Sequence, residues 1–110
     1  MKIIISSTEK SINSDVDMRF GRCPFFTIIE IENGKIKKYE TVENKAIHEM
    51  HGVGITTAQF VANQKVEAII TGNMGPKAFD ILSKTGIKII TGFSGKVKDA
   101  AERFIKGELK

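Results

Sequence analysis

Phe25-Phe26-Thr27-Ile28-Ile29-Glu30-Ile31-Glu32-Asn33-Gly34-Lys35-Ile36-Lys37-Lys38-Tyr39-Glu40-Thr41-Val42 decides the architecture. Asn33-Gly34 is a strong hairpin signal, because a type I′ turn needs φ > 0 at both central positions. Phe25–Glu32 is therefore expected to be a strand with Phe25, Thr27, Ile29 and Ile31 on one face, and Lys35–Val42 its antiparallel return. The return strand is polar and bears lysines. That suits a sheet edge, where charge discourages pairing with other chains.

Working outward, Lys2–Ser6 is a short continuous apolar run, the mark of a central strand covered on both faces. Ser7–Pro24 is long, polar and aperiodic, and a connection of that kind in a small domain is more often functional or mobile than idle. Downstream, helix and strand alternate. Gly54–Gln64 reads as a helix with Ile55, Ala58, Val61 and Ala62 inward, and Val66–Thr71 as a buried strand. Gly75-Pro76 opens a second helix, with Pro at the first helical position and Gly86 as the stop. Ile87–Ile90 is a further apolar strand. Gly95–Lys106 has the spacing of an amphipathic helix through Val97, Ala100, Ala101, Phe104 and Ile105, and Gly107 stops it. Right-handed crossovers make the first, fourth and fifth strands parallel. The expected fold is a three-layer α/β/α domain over residues 1–110. Its five-stranded mixed sheet has order 3-2-1-4-5, with the second strand antiparallel.

Composition bounds the function. The 110 residues suit one domain. There are 17 Lys and Arg against 13 Asp and Glu, a formal charge of +4. The lysines are scattered from Lys2 to Lys110 with no stripe of arginine and aromatics, so a solvated surface is expected rather than a nucleic-acid footprint. Abundant lysine also fits a thermophilic source. No apolar run approaches the ~20 residues that span a bilayer. The opening residues lack the length and cleavage site of a signal peptide. The single cysteine, Cys23, allows no intrachain disulfide and fits a reducing compartment. A cytoplasmic protein, monomeric or weakly dimeric, is the expectation.

The topology gathers four loops at the carboxyl edge of the parallel strands, where open α/β sheets favour ligands. They are Ser7–Pro24, Glu43–Val53, Gly72–Gly75 and Thr91–Gly95. Seven of the ten glycines lie in or beside them: Gly21, Gly52, Gly54, Gly72, Gly75, Gly92 and Gly95. Glycine lets backbone approach a ligand, and three helix N-termini point at the same edge, each with partial positive charge and free N–H donors. An anion is expected there. In Arg19-Phe20-Gly21-Arg22-Cys23-Pro24, the arginines favour the thiolate that binds metals. In His48-Glu49-Met50-His51-Gly52-Val53-Gly54, both histidines of the chain precede a helix whose N-terminus keeps them neutral and able to ligate. Cys23, His48 and His51 together would suit iron, copper or zinc better than magnesium or calcium. Asn44–His51 has no clear cap before it and is expected to be the most mobile segment. Ser7–Arg22 follows it, because Asp15, Asp17 and Arg19 need partners that a small core does not supply.

Three ordered segments resemble the dinitrogenase iron–molybdenum cofactor biosynthesis family, with its NifX, NifB carboxyl-terminal and orange-protein types. They are Phe20-Gly21-Arg22-Cys23-Pro24-Phe25-Phe26, His51-Gly52-Val53-Gly54 with Ala58-Gln59, and Ile70-Thr71-Gly72-Asn73-Met74-Gly75-Pro76-Lys77-Ala78-Phe79. The resemblance covers essentially the whole chain. It implies a ribonuclease-H-like fold and the carrying or protecting of iron–sulfur or molybdenum-containing clusters, with no reaction established for most members. It maps the family's loops onto Phe20, Gly21 and Arg22, onto Gly52 and Gly54, and onto Gly72, Asn73, Gly75 and Pro76. The position of Cys23 varies among relatives, so its ligand role rests on chemistry. There is no radical-enzyme domain, which excludes the NifB-type catalytic step, and small stand-alone members need not act in nitrogen fixation.

The expected function is thus a non-enzymatic carrier or scaffold for an anionic iron–sulfur or iron–molybdenum-type cluster, exchanging it with a donor or acceptor protein. Arg19, Gly21, Arg22, Gly52, Gly54, Gly72, Asn73 and Gly75 would cradle the cluster, and Cys23, His48 and His51 would ligate it. One cysteine is few against the roughly four ligands of common cluster sites, so mixed ligation, sharing between two chains or electrostatic holding is implied. Two alternatives stand. One is a regulatory domain binding a phosphate-bearing small molecule at Gly72–Lys77. The other is a metal-dependent nuclease, disfavoured because Ser6-Ser7 and Asn73 stand where clustered carboxylates are needed.

Overall fold

The computed structural model describes residues 1–109. Its elements are β1 (Lys2–Ser7), β2 (Phe25–Glu32), β3 (Lys35–Glu43), a 3₁₀ turn (Lys45–His48), α1 (Val53–Asn63), β4 (Ala68–Ile70), α2 (Pro76–Ser83), β5 (Lys88–Ile90) and α3 (Val97–Ile105). The sheet runs β3-β2-β1-β4-β5. β2 is antiparallel to β1 and β3, while β1, β4 and β5 are parallel. This is the order expected from the hairpin and the crossovers. The turn has the anticipated geometry, with φ of 54° at Asn33 and 73° at Gly34.

The continuous apolar run of β1 is explained by its two covered faces. Ile4 turns toward α1 and α2 with Phe26, Ile69, Ala58, Val61 and Leu82. Ile3 and Ile5 turn the other way, to Ile29, Ile70 and the Val97, Ala100 and Ala101 face of α3. All three isoleucines are fully buried, each worth about 1.5–3 kcal/mol of transfer free energy. Phe26 stacks on Phe60 of α1 and meets Phe20 edge-on, which seats the β1–β2 connection against the core.

Several local details differ from expectation. β4 and β5 have only three residues each, and hydrogen bonds to the neighbouring strands continue just past β4: Glu67 N–H donates to the Lys2 carbonyl of β1 and Thr71 N–H to the Ile90 carbonyl of β5. α3 begins at Val97 and not at Gly95, whose φ of 137° is incompatible with a helix. The Asn44–His51 segment is capped after all. Asn44 is buried, its Oδ1 accepts from Ala46 N–H at 3.2 Å, and that bond starts the 3₁₀ turn. No helix among the described residues is long and apolar enough to cross a membrane.

Candidate anion-binding edge

The loops meet at one edge of the sheet as expected, but they divide into a half that is bonded shut and a half that is open. The shut half holds residues 11–19 of the β1–β2 connection, the Gly72 end of the β4–α2 loop and the start of α3. Val97 and Lys98 N–H donate to the Ser14 and Ile12 carbonyls at 2.9 and 3.0 Å, so the N-terminus of α3 is already occupied by backbone. Only two helix N-termini remain for a ligand, not the three expected. Gly72 is likewise spent. Its N–H donates to the Asp17 carbonyl at 3.3 Å, its carbonyl accepts from Gly92 N–H at 2.8 Å, and a Cβ on it would fall 2.5 Å from Met18 Cα. Glycine here admits the Met18 backbone and not a ligand. Hydroxyls complete the seam: Ser6 Oγ donates to Thr71 Oγ1 at 2.7 Å, and Ser7 and Thr27 share a bond of 2.8 Å.

Asp17 organises this seam. It is buried, and its carboxylate accepts from Arg19 N–H at 2.8 Å and from the Arg19 guanidinium at 3.2 Å on both oxygens. Asp15 pairs with Lys96. Asp15, Asp17 and Arg19 thus find the partners they were expected to need, not in the core but in one another and in the neighbouring loop. Arg19 is correspondingly committed, its positive charge fixed by hydrogen bonding to Asp17.

The open half is built where the three quoted segments converge. Phe20 N–H donates to the Asn73 carbonyl at 3.1 Å. A Cβ on Gly21 would lie 3.3 Å from Gly54 Cα, and one on Gly54 would lie 3.9 Å from Ala78 Cβ. The missing side chains at Gly21 and Gly54 let the Phe20–Arg22 segment lie against the first turn of α1, and the first turn of α2 lies beside it. Thr57 Oγ1 fastens the Gly21 carbonyl from below at 3.3 Å. No side chain caps either helix, and neither first turn contains an acid. Two partial positive charges with spare N–H donors therefore stand side by side, with exposed Arg22 and Lys77 nearby in sequence. Gly52, at φ 68°, makes the sharp entry to α1. Gly75 has an ordinary extended backbone, φ −70° and ψ 163°, and a Cβ there would meet nothing within 4 Å. Neither strain nor packing inside the chain calls for glycine at that position. Asn73 contributes its carbonyl to Phe20 and its Oδ1 to Met74 N–H, so it shapes the loop from within.

The expected ligand trio is not assembled. Cys23 is fully buried in the α1/α2 core, with its thiol donating to the Phe20 carbonyl at 3.2 Å. Burial, then the nearby Asp17 carboxylate, pushes the thiol pKa up to about 12, the opposite of the thiolate expected from the adjacent arginines. Those side chains point away: Arg22 is exposed and Arg19 serves Asp17. His48 and His51 are both exposed, at the end of the 3₁₀ turn and just before Gly52. Among the described residues no three His, Cys, Asp or Glu side chains gather as a metal site. An anion held by N–H groups and cations fits this surface. A caged metal does not.

One residue escaped the sequence reading, and two that it named have other roles. Asn44 donates to the Gly21 and Cys23 carbonyls at 3.0 and 2.9 Å besides capping the 3₁₀ turn, and its only signal was an Asn ahead of a short polar-apolar run. Asp17 was named only as a residue in need of a partner, and Lys77, in the first turn of α2, only within the phosphate-binding alternative.

Residues 1–107 match the family model for the dinitrogenase iron–molybdenum cofactor family, and the chain belongs to that family. It is 42% identical over 98 residues to an uncharacterized protein of Methanocaldococcus jannaschii, covering 89% of this chain and 83% of that one. Its structure superposes on the apo form of the orange protein from Desulfovibrio gigas with a TM-score of 0.90 at 32% identity, over 99% of this chain and 90% of the other. A candidate NifB protein from Thermotoga superposes with a TM-score of 0.80 at 34% identity, over 99% and 90%. The chain is therefore a cofactor-binding or cofactor-biosynthesis-related protein.

Proposed function

We propose that this protein carries or scaffolds an anionic metal cluster, iron–sulfur or molybdenum-containing, or a precursor of one, and performs no reaction on it. The observation that carries this is the pair of uncapped, acid-free helix N-termini held side by side by the Gly21–Gly54–Ala78 contact. Backbone N–H groups and the cations Arg22 and Lys77 would hold the cargo without committing it to a cage of ligands, which suits a protein that must release what it binds to an acceptor. His51, two residues before α1, and His48 are the side chains available to ligate. A cytoplasmic setting is part of this proposal. Nuclease chemistry finds no support at the end of β1, where buried serine hydroxyls are bonded to Thr71 and Thr27.

Anaerobic incubation with iron and sulfide, with and without molybdate or thiomolybdate, should give a coloured protein with stoichiometric metal and sulfide. Cys23→Ala should load equally well, because the thiol faces the core. A protein that stays colourless and metal-free in every condition, yet binds inorganic phosphate, would transfer the edge to the small-anion alternative.

A further inference from the structure

The free flank of the sheet carries a charge pattern that matches itself when reversed. β3 is nine residues long and lies outermost, with no strand beyond it among the described residues. Asn44 N–H donates to the Pro24 carbonyl at 2.9 Å, and the register continues through Val42–Phe26, Glu40–Ile28 and Lys38–Glu30. Antiparallel ladders turn alternate residues to opposite sides. The N–H and C=O groups of Tyr39, Thr41 and Glu43 therefore point away from β2, toward the open flank. The bulge opposite Glu30 and Ile31 confines the irregularity to the hairpin end.

Along this strand the first half is basic, at Lys35, Lys37 and Lys38, and the second acidic, at Glu40 and Glu43. A second copy laid antiparallel about Tyr39 sets Lys38 against Glu40, twice by symmetry, with Tyr39 against itself, while the bulge at Lys37 takes Ile36 and Lys35 out of this register. No like charges meet. Moving the axis to Glu40 sets Glu40 against Glu40, and moving it to Lys38 sets Lys38 against Lys38. Glu40, Glu43 and Lys35 have no ion-pair partner among the described residues. Lys38 bridges Glu30 at 3.1 Å while 70% exposed, leaving ammonium hydrogens for a second carboxylate. Tyr39 is half exposed. Lysine on an edge strand repels a neighbour only when the neighbour is also basic there, and reversal of this strand removes that condition.

We infer that β3 is a homodimer interface, in which two copies join their sheets edge to edge about a two-fold axis at Tyr39. The contact is narrow and ionic, so association is weak and falls with salt. The axis reverses the strand direction between copies. The two glycine-rich edges then face opposite ways, and each copy handles its own cargo.

Sedimentation velocity from micromolar to millimolar protein at low salt should show the 12.2 kDa species doubling in mass. Glu40→Lys and Lys38→Glu should each weaken this by at least about tenfold, since each replaces two attractive cross-strand pairs by repulsive ones. Both positions are exposed, and Glu40→Lys keeps the Glu30–Lys38 pair, so circular dichroism should be unchanged. Mixing the two variants should restore a dimer, because every 38–40 pair is again of opposite sign. Slowed amide exchange at Tyr39 and Thr41 on concentration would place the contact. Wild-type protein that stays monomeric throughout would overturn the inference. So would variants that dimerise like wild type, or a mixture that does not associate.

Discussion

The two halves of the carboxyl edge share a vocabulary of glycine, helix N-termini and charged side chains, yet only one is available to a ligand. In the half made by residues 11–19 and the start of α3, these features already have partners within the chain. The α3 N–H groups meet Ser14 and Ile12, Gly72 lies under Met18, and Arg19 meets Asp17. In the α1/α2 half the two helix N-termini, Arg22 and Gly75 are left without one. Glycine density therefore marks where backbones come close. Only the hydrogen-bond bookkeeping separates chain against chain from chain against cargo.

Gly72 and Gly75, three residues apart in one loop, give the sharpest contrast. Gly72→Ala drives a methyl into the Met18 backbone and should cost about 3 kcal/mol in urea unfolding, the upper range for overpacking. Gly75→Ala meets open space at an extended φ and should hold or gain about 0.5 kcal/mol through the unfolded chain, while reducing cluster retention severalfold. Equal destabilisation by both would erase the distinction between the halves.

Cys23 extends the comparison to the core beneath the open half. Its thiol pKa is raised in the folded state to about 12. The folded protein therefore keeps a proton that the unfolded chain gives up near its ordinary thiol pKa. The stabilising contribution is complete below that value and is lost as pH rises through the folded one. Between pH 8 and pH 10 the wild type should lose about 1 kcal/mol more than Cys23→Ala, in which lysine titration continues and the thiol contribution is gone. Identical alkaline profiles would mean that the thiol is not buried in solution.

Arg19 and Arg22 should separate in function. Arg22→Gln should weaken cluster retention severalfold with little change in stability, because the side chain is exposed and unpaired among the described residues. Arg19→Gln should leave retention near wild type, since that guanidinium is held by Asp17. A reversed ranking would move the cargo onto the other half of the edge.

The fold was legible because its signals are local. Asn33-Gly34 demands one turn, Ile3-Ile4-Ile5 needs two covered faces, and Gly75-Pro76 starts a helix. The site was legible only as a place. Arg22, Gly52, Gly54 and Gly75 lie at its open half, but Cys23 could not be read correctly from its neighbours. Its environment is set by Phe20, Asn44 and the α1/α2 core, and adjacent arginines in sequence say nothing about which way a strand-entry side chain turns. Gly72 misled for a related reason: close approach of a backbone looks the same in sequence whether the approaching group is a ligand or Met18.

The smallest expected effect lies in the segment that precedes α1. Asn44 anchors its beginning through bonds to the Gly21, Cys23 and Ala46 backbone, while Glu49, Met50 and His51 are all exposed, with Met50 at 85%. Hydrogen exchange in the cargo-free protein should therefore be slow at Ala46 and fast over Met50–Gly52, splitting a segment that looked uniformly mobile in sequence. Loading should slow Met50–Gly52 and leave Ala46 unchanged, because only the second part adjoins the α1 N-terminus. Asn44→Ala should speed exchange at Ala46 by removing its acceptor and also loosen Gly21, whose carbonyl loses a donor. Slow exchange over Met50–Gly52 without cargo, unaltered by loading, would make this a rigid connection and remove His51 from the open half of the edge.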